Sequence, residues 1–139
     1  MILIIEVWWH KSLYIKHLLY KFTSLINQNL HIMSLKKQFV KSRKKCKVTF
    51  QLPIKATNGG TEVKVVGDFN DWSWEKGIPM KVKKDAFVAE TELPMGQSYQ
   101  FRYLIDAREW ENDWDADNYI STPFGVENSV VETRMEEMK

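Results

Sequence analysis

Tyr99-Gln100-Phe101-Arg102-Tyr103-Leu104-Ile105 sets large apolar residues at 99, 101, 103 and 105 against Gln100, Arg102 and Leu104. Period two is the mark of a strand with one face on a core, and aromatic side chains suit that pleated surface. The same texture recurs upstream. Cys46, Val48, Phe50 and Leu52 alternate with Lys47, Thr49 and Gln51 until Pro53 stops the run, which predicts a half-buried strand. Asn58-Gly59-Gly60 reads as a turn, and Val63 and Val65 begin a strand that ends at Gly67. Met80-Lys81-Val82-Lys83 and the run 86–93 follow, divided by Lys84-Asp85; Pro94-Met95-Gly96 turns the chain into 99–105, and 129–133 is the last strand. Several short strands with turns at such intervals predict an all-β, antiparallel β-sandwich.

The chain has 139 residues, room for one domain and a tail, whereas a catalytic (β/α)8 barrel takes about 250. Formal net charge is +2, but seven of the 20 basic residues fall within 36–47. From 48 to 139 ten basic residues face seventeen acidic ones, so the proposed sandwich is acidic and ill suited to tracking a phosphate backbone. The single cysteine, Cys46, has no internal partner and reads as a buried free thiol in a reducing, cytoplasmic setting. His10, His17 and His31 all lie in the first 32 residues, which leaves the β-region without the most versatile acid/base and metal-binding side chain.

Residues 1–32 contain no Gly, Pro, Ala, Asp or Arg and are rich in Ile, Leu, Lys, Tyr and Asn, a composition unlike a domain's. Glu6, Lys11, Lys16 and Lys21 interrupt any run of about 18 apolar residues, which argues against a membrane span or secretory signal. Ile15, Leu18, Leu19, Phe22, Leu25 and Ile26 follow the spacing of a short amphipathic helix. The favoured expectation is that translation starts at Met33 and that 1–32 is upstream AT-rich DNA read in frame. Residues 33–45 then form a basic, solvated lead-in, 46–133 the sandwich, and 134–139 a polar tail.

Val65-Val66-Gly67-Asp68-Phe69-Asn70-Asp71-Trp72-Ser73-Trp74 carries a strand into a turn bearing two tryptophans, broad flat faces where loops meet water. Gly67-Asp68-Phe69-Asn70-Asp71-Trp72 resembles the "G-x-F-N-x-W" signature of carbohydrate-binding module family forty-eight. That family takes in the isoamylase N-terminal (early set) domains and the glycogen-binding domain of the AMP-activated protein kinase β subunit. Leu93-Pro94-Met95-Gly96 is similar to its "L-P-x-G" turn, and Tyr99 to Asp106 to its long "Y-x-F-R/K-Y/F-x-V/I-D" strand. Pro123-Phe124-Gly125-Val126-Glu127-Asn128-Ser129-Val130-Val131 resembles the ending of small, free-standing bacterial members. The four motifs occur in order across roughly 46–133.

The resemblance implies an Ig-like (early set) sandwich that binds α-1,4-glucan, glycogen or a starch-like oligosaccharide, with no cofactor and no catalysis. Carried over by motif, Trp72 and Trp110 form a curved platform, Arg102 bonds sugar hydroxyls, Phe124 threads the curve and Asn128 completes the hydrogen bonds. Two departures matter. Asp106-Ala107-Arg108-Glu109-Trp110 holds one residue more before its tryptophan than the shortest family loops, which bears on the direction in which Trp110 points. Val126 stands where a hydroxyl residue is common. The types make physical sense on their own: a pyranose packs the C–H groups of its face on an indole, while its hydroxyl rim needs planar donors and acceptors such as Arg and Asn.

Other readings compete for the same residues. Trp72 and Trp110 are alternatively packing residues, Arg102 a partner of a nearby carboxylate, and Trp74 and Trp114 bystanders to any sugar. Asp113, Asp115 and Asp117 match three positions of a calcium loop, but Phe124 stands where the bidentate Glu belongs, so a solvated acidic loop is the expectation and no metal site. Surface carboxylates alone do not make the spaced pair that a glycosidase needs. The competing functional class is a protein-interaction sandwich that docks on a glycogen-metabolising enzyme through the same tryptophans; neither reading involves nucleic acid or membrane.

Overall fold

The structure, a computed structural model, describes residues 15, 17–19, 21 and 35–135. The chain divides into two compact units at the boundary between Ile32 and Met33. In the first, the described residues are helical; Ile15, Leu18 and Leu19 of the amphipathic pattern are among them, and Phe22, Leu25 and Ile26 lie outside the described residues. Among the described residues no helix is long and apolar enough to cross a membrane.

The second unit is an all-β sandwich of two antiparallel sheets. Its strands are β1 (Leu35–Val40), β2 (Lys45–Pro53), β3 (Val63–Gly67), β4 (Ile78–Pro79), β5 (Lys81–Lys83), β6 (Ala86–Pro94), β7 (Ser98–Ile105), β8 (Glu109–Glu111), β9 (Asn118–Ser121) and β10 (Glu127–Glu132). One sheet has the order β1-β2-β6-β5; the other runs β4-β3-β7-β10-β9, with β8 also paired to β7.

Alternation decides what lies between the sheets. Cys46, Val48, Phe50 and Leu52 of β2 face Phe101, Tyr103 and Ile105 of β7, all at most 3 % exposed. Phe50 and Phe101 meet edge to face at 5.0 Å, a geometry that adds to the area the rings bury. Cys46 is a free, buried cysteine, and burial, chiefly, pushes its thiol above the ordinary range.

The basic lead-in is not a solvated tail. Leu35–Val40 pairs with β2 along its length, from Leu35 opposite Phe50 to Val40 opposite Lys45. The lysines hid this strand from pattern reading, because Lys37 occupies a core-side position and reaches the edge of the sandwich to meet Asp117 at 2.5 Å. Arg43 and Lys47 pair with Glu92 (2.6 Å) and Glu90 (3.2 Å) on β6. The acidic loop also departs from expectation. Asn112 and Asp113 are buried, and Asp113 accepts a 2.6 Å hydrogen bond from the Tyr103 hydroxyl. Ser129 links the two: its Oγ accepts from the Asp113 N–H at 2.9 Å and donates to Asn112 Oδ1 at 2.7 Å. Among the described residues no group of three or more His, Cys, Asp or Glu side chains is placed to hold a metal ion.

Register positions the outer face of the second sheet. Val66 of β3 is opposite Arg102 of β7, Leu104 is opposite Trp110 of β8, Val130 of β10 is opposite Gln100, and Ile120 of β9 is opposite Asn128. β8 and β10 share one edge of β7, at residues 103–105 and 98–101 respectively. Side chains from five strands are thereby brought onto one surface.

Candidate functional site

The turn 67–72 is built by its own residues. A Cβ at Gly67 would lie 2.4 Å from the Gln100 carbonyl oxygen and 2.8 Å from Phe101 Cβ, so only glycine lets β3 approach β7 here. Asn70 closes the turn with both ends of its amide: Oδ1 accepts from Gly67 N–H at 2.9 Å and Nδ2 donates to the Val65 carbonyl at 3.0 Å. Phe69 turns inward and packs near Phe50 (5.7 Å) and Tyr99 (6.3 Å). Asp71 and Trp72 then both adopt the left-handed region, at φ 56°, a conformation that costs a non-glycine residue roughly 1–2 kcal/mol. Two contacts hold Trp72 there. Its backbone N–H donates to Gly67 O at 2.9 Å, and its indole Nε1 donates to Asp68 Oδ1 at 2.9 Å. The other Asp68 oxygen accepts from the Gln100 backbone N–H at 2.7 Å. Asp68 thus ties the indole to β7 just beyond the end of β3, a role sequence reading missed.

Trp110 arrives on a second hairpin. The β7–β8 turn carries Asp106 and Ala107 at φ 50° and 56°. Asp106 Oδ1 anchors it by accepting from the backbone N–H groups of Glu62 (2.9 Å) and Thr61 (3.0 Å) and from Thr61 Oγ1 (3.3 Å), which together hold the carboxyl below its ordinary range. Despite the longer loop, the Trp110 ring lies 6.4 Å from Trp72, the planes inclined at 57°. The Arg102 guanidinium carbon is 5.5 Å from the Trp110 centroid, a cation–π contact. Arg102 is half-buried, and desolvation draws its pKa below the usual arginine value, with Glu111 acting in the opposite sense. Its Nε is buried without a hydrogen-bond partner, which such a donor tolerates only at a cost.

The third wall is the β9–β10 turn. Val126 O accepts from Thr122 N–H and Thr122 Oγ1, both at 2.8 Å, and Gly125 N–H donates to Thr122 O at 3.2 Å. This holds Phe124 at the tip, 89 % exposed. Asn128 Nδ2 donates to Gln100 Oε1 at 3.1 Å, which fixes the amide orientation.

Trp72, Arg102, Trp110, Phe124 and Asn128 line one open groove of about 470 Å³, together with Thr122, Pro123 and Val126. All five sequence-predicted residues therefore meet. Thr122 and Pro123 were missed, since turn residues carry no periodic signal. Trp74 lies outside this groove, with its ring edge-on to Trp110 at 6.0 Å. Trp114 packs against the core.

A β-sandwich with an open aromatic groove across its outer sheet has the form of a binding module. Residues 50–139 match the family model described as the glycogen recognition site of AMP-activated protein kinase, and the chain belongs to that family. It is 31 % identical over 78 residues to 5'-AMP-activated protein kinase subunit beta-1 of Sus scrofa, covering 56 % of this chain and 59 % of that one. With the beta-1 subunit of Homo sapiens identity is 30 % over 78 residues, 27 % of that protein's length. The mouse beta-2 subunit is 30 % identical over 81 residues, 58 % of this chain and 28 % of that one. The chain thus spans between about a quarter and three fifths of these relatives. Among solved structures, enterochelin esterase from Shigella flexneri superposes with a TM-score of 0.59 at 11 % identity, over 77 % of this chain and 34 % of that one. Ferric enterobactin esterase from Salmonella typhimurium gives 0.57 at 12 %, over 92 % and 36 %. At such identities the likeness is one of fold. Family membership supports carbohydrate binding of the glycogen kind.

Proposed function

We propose that this domain binds an α-1,4-glucan, glycogen or a starch-like oligosaccharide, on the Trp72–Trp110 platform and catalyses nothing. The observation that carries the reading is the convergence of two indoles, a phenyl ring, a guanidinium and an amide on one groove. The rings offer apolar area to pyranose faces, Arg102 and Asn128 offer donors and an acceptor to the rim, and Phe124 stands high enough to follow a curved chain. About 100 Å² of sugar face on one indole contributes on the order of 2.5 kcal/mol before entropy costs. Two such faces and a few hydrogen bonds give micromolar to millimolar affinity, which suits a polymer with many repeated sites.

Affinity electrophoresis in glycogen gels tests this, with tryptophan fluorescence on adding maltoheptaose. Retarded migration and a fluorescence change are expected, and Trp72→Ala abolishes both while the protein remains folded. Unretarded migration with silent fluorescence would sink the sugar reading and leave the groove to a protein partner. Unfolding of the variant would assign Trp72 to packing.

A further inference from the structure

We infer that the glucan surface continues past Trp110 onto Trp74, which supplies a further stacking position for a longer stretch of the same chain. This rests on the reading of the Trp72–Trp110 groove as a glucan site. Trp110 joins the other two indoles, its ring centroid 6.4 Å from that of Trp72 and 6.0 Å from that of Trp74. The outer two differ in how they are held. Trp72 is pinned through its indole N–H to Asp68, whereas Trp74 stands 50 % exposed on the 73–77 loop.

That loop is anchored without help from the ring. Gly77 N–H and Lys64 Nζ both donate to Trp74 O at 3.3 Å, and Lys76 N–H donates to Ser73 Oγ at 3.4 Å. A Cβ at Gly77 would sit 3.1 Å from Lys64 Cβ and 3.2 Å from Val66 Cγ2, so the loop backbone itself covers β3. The largest side chain in the repertoire is therefore displayed at a site where the fold does not need it buried.

Its surroundings offer polar partners at the edge of the ring. Beside the ring is a hollow of about 30 Å³ lined by Glu62, Lys64, Trp74, Leu104 and Ala107. It is too small to enclose a pyranose, so the sugar lies over the exposed indole with its hydroxyl rim at Glu62 and Lys64. Those two offer an acceptor and a donor, and are only loosely paired with each other at 3.9 Å. Continuity with the first groove through Trp110 makes the occupant the same chain.

The test is calorimetric titration of wild type, Trp74→Ala, Trp74→Phe and Trp72→Ala with maltotriose and maltoheptaose. Trp74→Ala is expected to weaken maltoheptaose about tenfold and leave maltotriose within about twofold, with Trp74→Phe recovering part of the loss. Trp72→Ala is expected to weaken both sugars. Should Trp74→Ala fail to fold, Trp74→Phe decides alone, through a smaller loss confined to maltoheptaose. If wild type binds both sugars and the Trp74 variants bind both as well as wild type, or lose both equally, the inference falls and the groove reading stands. If wild type binds neither, both fall.

Discussion

Asp68 offers the sharpest check on how the turn works. Asp68→Ala removes a carboxylate that accepts from Trp72 Nε1 at 2.9 Å and from Gln100 N–H at 2.7 Å, one oxygen to each. Hydrogen bonds to a charged acceptor contribute about 1.5–3 kcal/mol when buried, but these lie at the surface, where about 1 kcal/mol each is the better figure. The domain should lose about 2 kcal/mol, or about 8–16 °C in Tm for a unit of this size. A second loss appears only with ligand present. Freed from Asp68, the Trp72 ring must be ordered on binding, which costs about 0.5–1.5 kcal/mol and weakens the glucan roughly two- to tenfold. Asp68→Asn keeps one acceptor but turns an NH2 toward the other N–H, so it should recover less than half of either loss. Thermal unfolding followed by fluorescence reads the first quantity, and titration with maltoheptaose the second. A Tm within 2 °C of wild type, taken as roughly the smallest resolvable step, would refute the anchor argument. Lowered stability with unchanged affinity would assign Asp68 to strand pairing and remove it from the site.

Gly67→Ala should destabilise by about 1–3 kcal/mol or more, because the new Cβ meets the Gln100 carbonyl oxygen at 2.4 Å and backbone cannot swing aside; chemical denaturation within 0.5 kcal/mol of wild type, roughly the scatter of surface substitutions, would contradict the close approach. Tyr103 and Tyr119 both have pKa values raised above 10.0, first by burial. Each stays protonated in the fold after it would ionise in the unfolded chain, so stability is whole below about pH 10 and falls above it, by about 1.4 kcal/mol per unit for each tyrosine. Tyr103→Phe should flatten that alkaline slope by one tyrosine's share. It should also cost about 1–3 kcal/mol at pH 7, since the buried Asp113 carboxylate loses its 2.6 Å donor; an unchanged slope in pH-dependent unfolding would argue against the burial account.

Read alone, 99–105 and 46–52 carry the sandwich, because period-two alternation is a local record of which face meets the core. The strands missed were those whose pattern was overwritten or too short. β1 bears lysine at a core-side position, where a long stem lets the charge escape at the edge to Asp117. β8 and β9 have three and four residues and no alternation to read. The acidic loop misled for a related reason: nothing local distinguishes Asp113, buried on Tyr103, from the exposed Asp117.

The candidate site divides along the same line. The residue types were legible through motif resemblance, and the structure brings Trp72, Arg102, Trp110, Phe124 and Asn128 to one groove. What no stretch of sequence could set was the groove itself. It exists because β8 and β10 share one edge of β7, because two successive left-handed residues swing Trp72 outward, and because Asp68 reaches Gln100, 32 positions away, to hold the ring. Periodicity is written between neighbours; a concave surface is written in register between strands far apart in the chain, and only the folded sheet brings those registers together.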